Sequence, residues 1–460
     1  MKLADLMNYT AVPATRLEPM MKTQNPLILV QAIWLGLLMG LSGCGQGGGK
    51  HGGQTEAKAK AMLSAKLEGI RQAGQPVTLA ELKAWYPEPP AGENAAPLYA
   101  EAFAALAAAE AKSPSFLAKN EAALALLHKA AAKRQCRYPI DLGEAFVKAP
   151  HLGKLKTCAQ LLGREAVASA GKGRADLAAQ FLSDGLGLGR SLEQEPLLIS
   201  QLVRMACDSI TQTSLEEALS LRAFPEEQLV SLQAALREEE RTVEPSLARA
   251  FATERWSLVR LFQMPPREYE ELIRSAGANC PLPPPAELEA YRQSAAFNAD
   301  LNLCLDQFSN WIAVASAPFP AALEAAGQWA PEAAAQAGEA KTKGCRIFAL
   351  MSPAALNHGL EGAADCVGQL RAAEAGLAVE RYRLASSYAL PDSLSQVVPK
   401  YLTAVPDDPY DGKPLRYKKL SPKGYVVYSI GRNRLDDGGT PRPGGGKADG
   451  PYDVTFAVRR

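Results

Sequence analysis

Between about residues 56 and 344, apolar side chains recur every three or four positions. Proline and glycine breaks separate these runs, and this period commits most of the chain to helices. Leu63, Leu67 and Ile70 fall on one face of the first run. Thr78 followed by Glu81 reads as a capping box opening a short helix, which the proline-rich segment from Trp85 to Pro90 ends. Asn94 is placed to cap the next helix, expected to reach about Ala111. Breaks follow at Ser113-Pro114, Tyr138-Pro139, Ala149-Pro150, Gly171 to Gly173 and Phe224-Pro225. Helical spacing marks 153–171, 174–192, 195–221 and 225–241. Pro196 and Pro225 suit first helical positions, where the missing N–H has no partner to lose. Gly185, Gly187 and Gly189 imitate a dinucleotide fingerprint, but their helical surroundings point to close helix packing. Pro281 to Ala286 is a rigid break, helices resume from Glu287 to about Asn310, and Gln328 to Pro331 reads as a connector. A long helix is expected from about Ser352 to Ser387. The fold class is therefore mainly α: a helical-hairpin solenoid or irregular bundle, followed by a small α+β unit with a short antiparallel sheet. No fixed repeat emerges, and the tetratricopeptide pattern is not met.

Upstream of the helices, residues 26–41 form an uncharged apolar run preceded by Lys22. At about 16 residues it is shorter than the roughly 20 needed to span a bilayer as a helix, and close to a signal-peptide core. It ends in Leu41-Ser42-Gly43-Cys44, which resembles the lipobox of bacterial lipoproteins. That resemblance implies cleavage before Cys44 and a thioether-linked diacylglycerol on its thiol, with enough acyl chains, palmitate among them, for stable anchoring. Residues 1–43 are then a signal peptide, with Met20 or Met21 as an alternative start. Residues 44–55 are a glycine-rich tether. The competing reading is an ordinary signal peptide, or a short apolar helix, that happens to end in cysteine. Gly45 after the cysteine resembles lipoproteins sorted to the outer membrane and facing the periplasm.

The helical unit is expected to span 56–344 and the α+β unit 345–460. In the latter, Tyr425 to Ile430 reads as a strand and Leu415 to Lys418 as a shorter one. Tyr382-Arg383-Leu384, Leu390-Pro391, Pro406-Asp407-Asp408-Pro409, Ser429-Ile430-Gly431, Asp436-Asp437-Gly438-Gly439 and Asp453-Val454 follow one another. This order resembles the C-terminal domain of the major pseudopilin of type II secretion. The resemblance implies a long helix packed on a small sheet, and a calcium site in the Gly/Asp loop. Asn433, Asp436, Asp437 and Asp453, with Ser429, would supply the oxygen ligands that Ca²⁺ takes. Arg432 and Arg434 oppose a divalent ion there, and the competing reading is a solvated turn. The apolar stretch from Cys345 to Leu356 is too short to cross a bilayer, so the resemblance implies a module and not a pseudopilus subunit.

Lys and Arg number 50 against 49 Asp and Glu, a balance unlike the basic excess of nucleic-acid binders. With Cys44 lipidated, an odd number of the eight cysteines remains, none in a CxxC pair, which argues against structural zinc. They read as disulfides or as buried thiols. His51, His128, His151 and His358 make no HxxH or HExxH pattern and read as surface or capping residues. There is no GxSxG elbow, and Gly446-Lys447 lacks the rest of a phosphate-binding loop. Glu254 and Trp256 are candidates to line a groove, against which core packing is the stronger competing reading for Trp256. The expectation is a lipid-anchored envelope protein, a non-catalytic binder or scaffold whose partner is another envelope protein. Two alternatives are a periplasmic hydrolase with carboxylates assembled in the helical part, and an accessory component of a secretion system.

Overall fold

The computed structural model describes residues 52–106, 120–144, 147–276, 284–342, 353–443 and 450–460. The signal peptide, Cys44, most of the tether, Cys280, Cys345 and the tip of the Gly/Asp loop lie outside them. The described part is mainly helical and ends in a three-stranded antiparallel sheet.

The helices in chain order are α1 (Gly52–Gln72), α2 (Leu79–Ala84), α3 (Ala96–Ala105), α4 (Glu121–Ala131), α5 (His151–Gly171), α6 (Ala175–Arg190) and α7 (Leu198–Leu221). They continue as α8 (Glu226–Glu240), α9 (Val243–Gln263), α10 (Pro266–Ala276), α11 (Pro285–Arg292), α12 (Ala295–Ala315), α13 (Ala321–Thr342) and α14 (Pro353–Ala385). Thr78 caps α2 in a full capping box with Glu81. Asn94 acts one residue early: its side-chain oxygen accepts from the Ala96 and Arg137 amides, and Ala95 is the cap residue of α3. The two prolines lie just outside the first helical positions expected of them: Pro225 immediately precedes α8 without a side-chain cap bond, and Pro196 precedes Leu197, the residue before α7.

The helices expected from Glu287 are α11 and α12, separated by Gln293-Ser294, and α12 runs on to Ala315. One further expectation changes. The connector expected at Gln328 to Pro331 is helix instead. α13 runs through Pro331 because Ala322, Ala326 and Ala333 bury one face against its neighbours, which outweighs the backbone bond that proline removes.

α5, α6 and α7 pack on one another, and the three glycines of α6 bring it close to α7 and to α4. A Cβ on Gly185 would stand 2.6 Å from the Thr211 hydroxyl, on Gly187 2.9 Å from the Ala131 methyl, and on Gly189 2.3 Å from an Asp208 oxygen. The long α14 packs against α7, α8, α9 and α13, so the helices make an irregular bundle around it. Its antiparallel contact with α8 is laced by Arg381 to Glu226, Arg237 to Glu374 and Arg371 to Glu240.

The sheet order is β1 (Arg416–Lys419), β2 (Tyr425–Ser429), β3 (Val454–Val458). Its register pairs Arg416 with Tyr428 and Ser429 with Val454. α14 lies across it. A Cβ on Gly376 would stand 2.4 Å from the Phe456 ring, and the Gly376 carbonyl accepts from the Tyr425 hydroxyl at 2.8 Å. The outer edge of β3 is covered by α7. Glu216 accepts from the Ala457 amide at 3.1 Å, Ser220 from the Arg459 amide at 2.9 Å, and the Leu219 carbonyl from Arg460. Those partners remove the unpaired donors that make an edge prone to association. One apolar cluster runs from Leu63 on α1 to Val458 on β3.

Candidate functional site

The loop from Gly431 to Asp453 gathers Asn433, Asp436, Asp437 and Asp453 at one end of the sheet, but it turns their oxygens onto N–H donors. Asp453 accepts from the Asp437, Gly439 and Thr440 amides at 3.2, 2.7 and 3.2 Å. Asp436 accepts from the Tyr428 hydroxyl and the Gly438 amide, and the Asn433 amide group donates to Asp437. Ser429 is engaged elsewhere, donating to Asp408 at 2.7 Å. Each N–H presents positive charge where a cation would have to sit. Among the described residues, no group of three or more His, Cys, Asp or Glu side chains is arranged to hold a metal. As arranged, this donor set does not fit Ca²⁺; it fits a loop held by its own backbone. Arg432 points away from the loop, into Glu361 and Asp365 on α14.

The Pro406 to Pro414 segment is organised by Asp408, which is fully buried. It accepts from the Tyr410 amide, the Ser429 hydroxyl, the Ile430 amide and the Arg416 guanidinium, joining the loop to β1 and β2.

Two further clusters lie inside the helical part. Glu195 accepts from His151 at 3.1 Å, from the Ser200 hydroxyl at 2.5 Å and from the Tyr86 hydroxyl at 3.2 Å, while His151 stacks on Tyr138 with ring centroids 4.1 Å apart. His151 is thus a core residue, against the surface or capping role expected. It is the first residue of α5. Ser200 donates to the carboxylate and not to the imidazole, so the hydroxyl–base contact of a nucleophilic serine is not made. Burial pushes the nearby Cys136 thiol up to about 12, far from a reactive thiolate. The five described cysteines, Cys136, Cys158, Cys207, Cys304 and Cys366, are buried.

The second cluster sets Arg204 against Glu239, Thr242 and Ser246. Beside it, both oxygens of fully buried Asp208 lack hydrogen-bond partners. Burial, with Glu239 adding repulsion, drives the Asp208 carboxyl well above its ordinary range. His128 bonds to Asp184 and His358 to Glu361; both are surface-accessible, as expected.

A solvent-open concavity lies elsewhere. Two adjoining depressions of about 410 and 320 Å³ share Ala73, Gln75, Ile312 and Ser316, and so form one groove. The end of α1 with the turn after it, Trp85, the C-terminal half of α12 and α9 from Pro245 to Arg255 supply its walls. Lys66, Asp306, Arg249 and Arg255 are its charged lining residues. Lys66 bonds to Asp306 at 2.6 Å and to the Asn302 carbonyl, and Arg249 reaches the Gln194 side chain. Arg255 is 2% exposed, and its Nη2 has no hydrogen-bond partner.

Sequence reading singled out the neighbours of this residue and missed the residue itself. Trp256 is core, as its competing reading had it. Glu254 caps the α7 backbone at Leu198, and burial pushes its carboxyl up to about 7. The overlooked signal is that Arg255 interrupts the apolar stripe Leu247, Phe251, Leu258, Phe262 on α9.

No family model matches this chain, and comparison with curated proteins and with solved structures also finds no match.

Proposed function

We propose that this chain is a lipid-anchored, non-catalytic binding protein of the cell envelope, held at the outer membrane through Cys44. The groove is its binding surface. The observation that carries the reading is where the groove sits: on α1, the first helix after the tether. The eight-residue step from Cys44 to Gly52 spans at most about 28 Å when extended, and the rise along α1 to Gly69 adds about 26 Å. A membrane anchor at Cys44 would hold the groove within that reach of the lipid surface.

Binding is favoured over hydrolysis by the distribution of carboxylates. Among the described residues the groove contains one, Asp306, and it is tied to Lys66. A hydrolytic pair needs two carboxyl groups a few ångströms apart around the scissile bond. The Glu195 and the Arg204–Asp208–Glu239 clusters are buried.

A second reading, accessory to secretion, draws support from the order of α14, the Pro406 to Pro414 loop and the three strands. Against it, α14 is covered by α7, α8 and α9, which leaves little of its surface for assembly with like subunits.

The test is fractionation with mass spectrometry. The wild-type protein is expected in the membrane fraction with an acylated amino-terminal Cys44, and Cys44→Ser is expected to lose both the acyl mass and stable membrane retention. A soluble wild-type chain with an unmodified sulfur would overturn the anchored reading.

A further inference from the structure

Arg255 is the feature of the groove that folding alone leaves unexplained. Its guanidinium is buried at the groove floor. Among the described residues no carboxylate forms an ion pair with it, no aromatic ring stacks on it, and Nη2 is unbonded. A buried charge without a partner is destabilising, and such charges are retained in pairs or at sites that use them. Burial lowers the pKa of Arg255 to about 10, which leaves it cationic at neutral pH. In the larger depression the other cation, Lys66, is paired with Asp306, whereas Arg249 lines the smaller one and bonds to the uncharged Gln194 side chain. Among the described residues, one positive charge is therefore open in the larger depression. Around it the groove presents Ile70, Leu305 and Ile312, and the larger depression, about 410 Å³, falls within the roughly 300–1,000 Å³ typical of small-molecule sites.

We propose that the groove binds a small amphiphile with a carboxylate head, seated with the head on the Arg255 guanidinium and the apolar body along Ile70, Leu305 and Ile312. A planar guanidinium matches a carboxylate in shape and charge, and the match strengthens where water is excluded. The single open charge selects a singly charged head over a phosphate. This assignment rests on the groove being the binding surface; it does not depend on the anchor.

The test titrates the full lipidated chain in phosphatidylcholine nanodiscs with octanoate, octanol, octyl phosphate and octylammonium, subtracting empty discs. Octanoate is expected to bind at least tenfold more tightly than octanol. Arg255→Met should abolish that preference, and Ala313→Trp, on an exposed lining position, should block octanoate while the melting temperature stays near wild type. Without ligand, Arg255→Met should melt at or above wild type, unlike Arg204→Met, which removes a partnered arginine. Equal affinity for octanoate and octanol would overturn the head-group assignment and leave the groove as a binding surface. Tighter binding of octyl phosphate would overturn the choice of carboxylate. Octanoate binding that survives Ala313→Trp would place the ligand elsewhere. Absence of binding by every probe would overturn the ligand proposal, and Cys44 acylation would still report separately on the anchor.

Discussion

Asp408 shows how much one carboxylate can organise. Its four donors come from its own loop, from β1 and from both sides of the β2 terminus. Asp408→Ala strips all four and leaves Arg416 with only Asp411. The expected loss is about 3 kcal/mol of unfolding free energy, read by urea denaturation. Glu216 makes the opposite kind of prediction. Burial pushes its folded-state pKa up to about 8, against 4.5 when exposed, with the Ala457 amide partly opposing the shift. The folded chain therefore holds a proton at Glu216 that the unfolded chain has lost, and stability falls as pH rises from about 4.5 through 8. Glu254, raised to about 7, acts in the same direction. Glu216→Gln should flatten the upper part of that decline, and an undiminished slope in melting temperature from pH 6 to 8 would contradict it.

At the scale of elements, small residues set the distances. Gly187 lies against the Ala131 backbone, with Cα and carbonyl oxygen both 3.2 Å from where a Cβ would stand, so neither can rotate away. Gly187→Ala should cost about 1–3 kcal/mol, more than the gain in helix propensity. Gly376→Ala should behave alike, because the Phe456 ring is buried between α14 and β3. Pro331 is the converse case: it is exposed and interrupts the hydrogen bonds of α13. Pro331→Ala should raise the melting temperature, by an amount equivalent to at most about 3 kcal/mol. The Gly/Asp loop carries its own backbone partners, so chelation with EDTA should leave the melting temperature unchanged, whereas Asp453→Ala should lower it.

For the whole molecule, the shared apolar cluster and the ion pairs between α8 and α14 predict one cooperative unfolding transition. A chain ending at residue 344 lacks α14 and the sheet. It exposes the faces of α7, α8 and α9 that they cover, and should show no cooperative melt by circular dichroism.

Local pattern was enough for some of this. The helical class, the close-packing role of Gly185, Gly187 and Gly189, the Thr78 cap, the long final helix and the Tyr425 strand were legible because each depends on neighbours within a few residues. Tertiary structure decided the rest. Arg371 meets Glu240 across 131 residues, and Arg460 seals α7 across 241. His151 became core because the Tyr138 and Glu195 segments fold over the start of its helix, and the candidate calcium ligands met amides because the loop closes on itself. The open charge of Arg255 is of the same kind. A sequence shows that an arginine sits in an apolar stripe, but only the folded chain shows whether a carboxylate comes back to meet it.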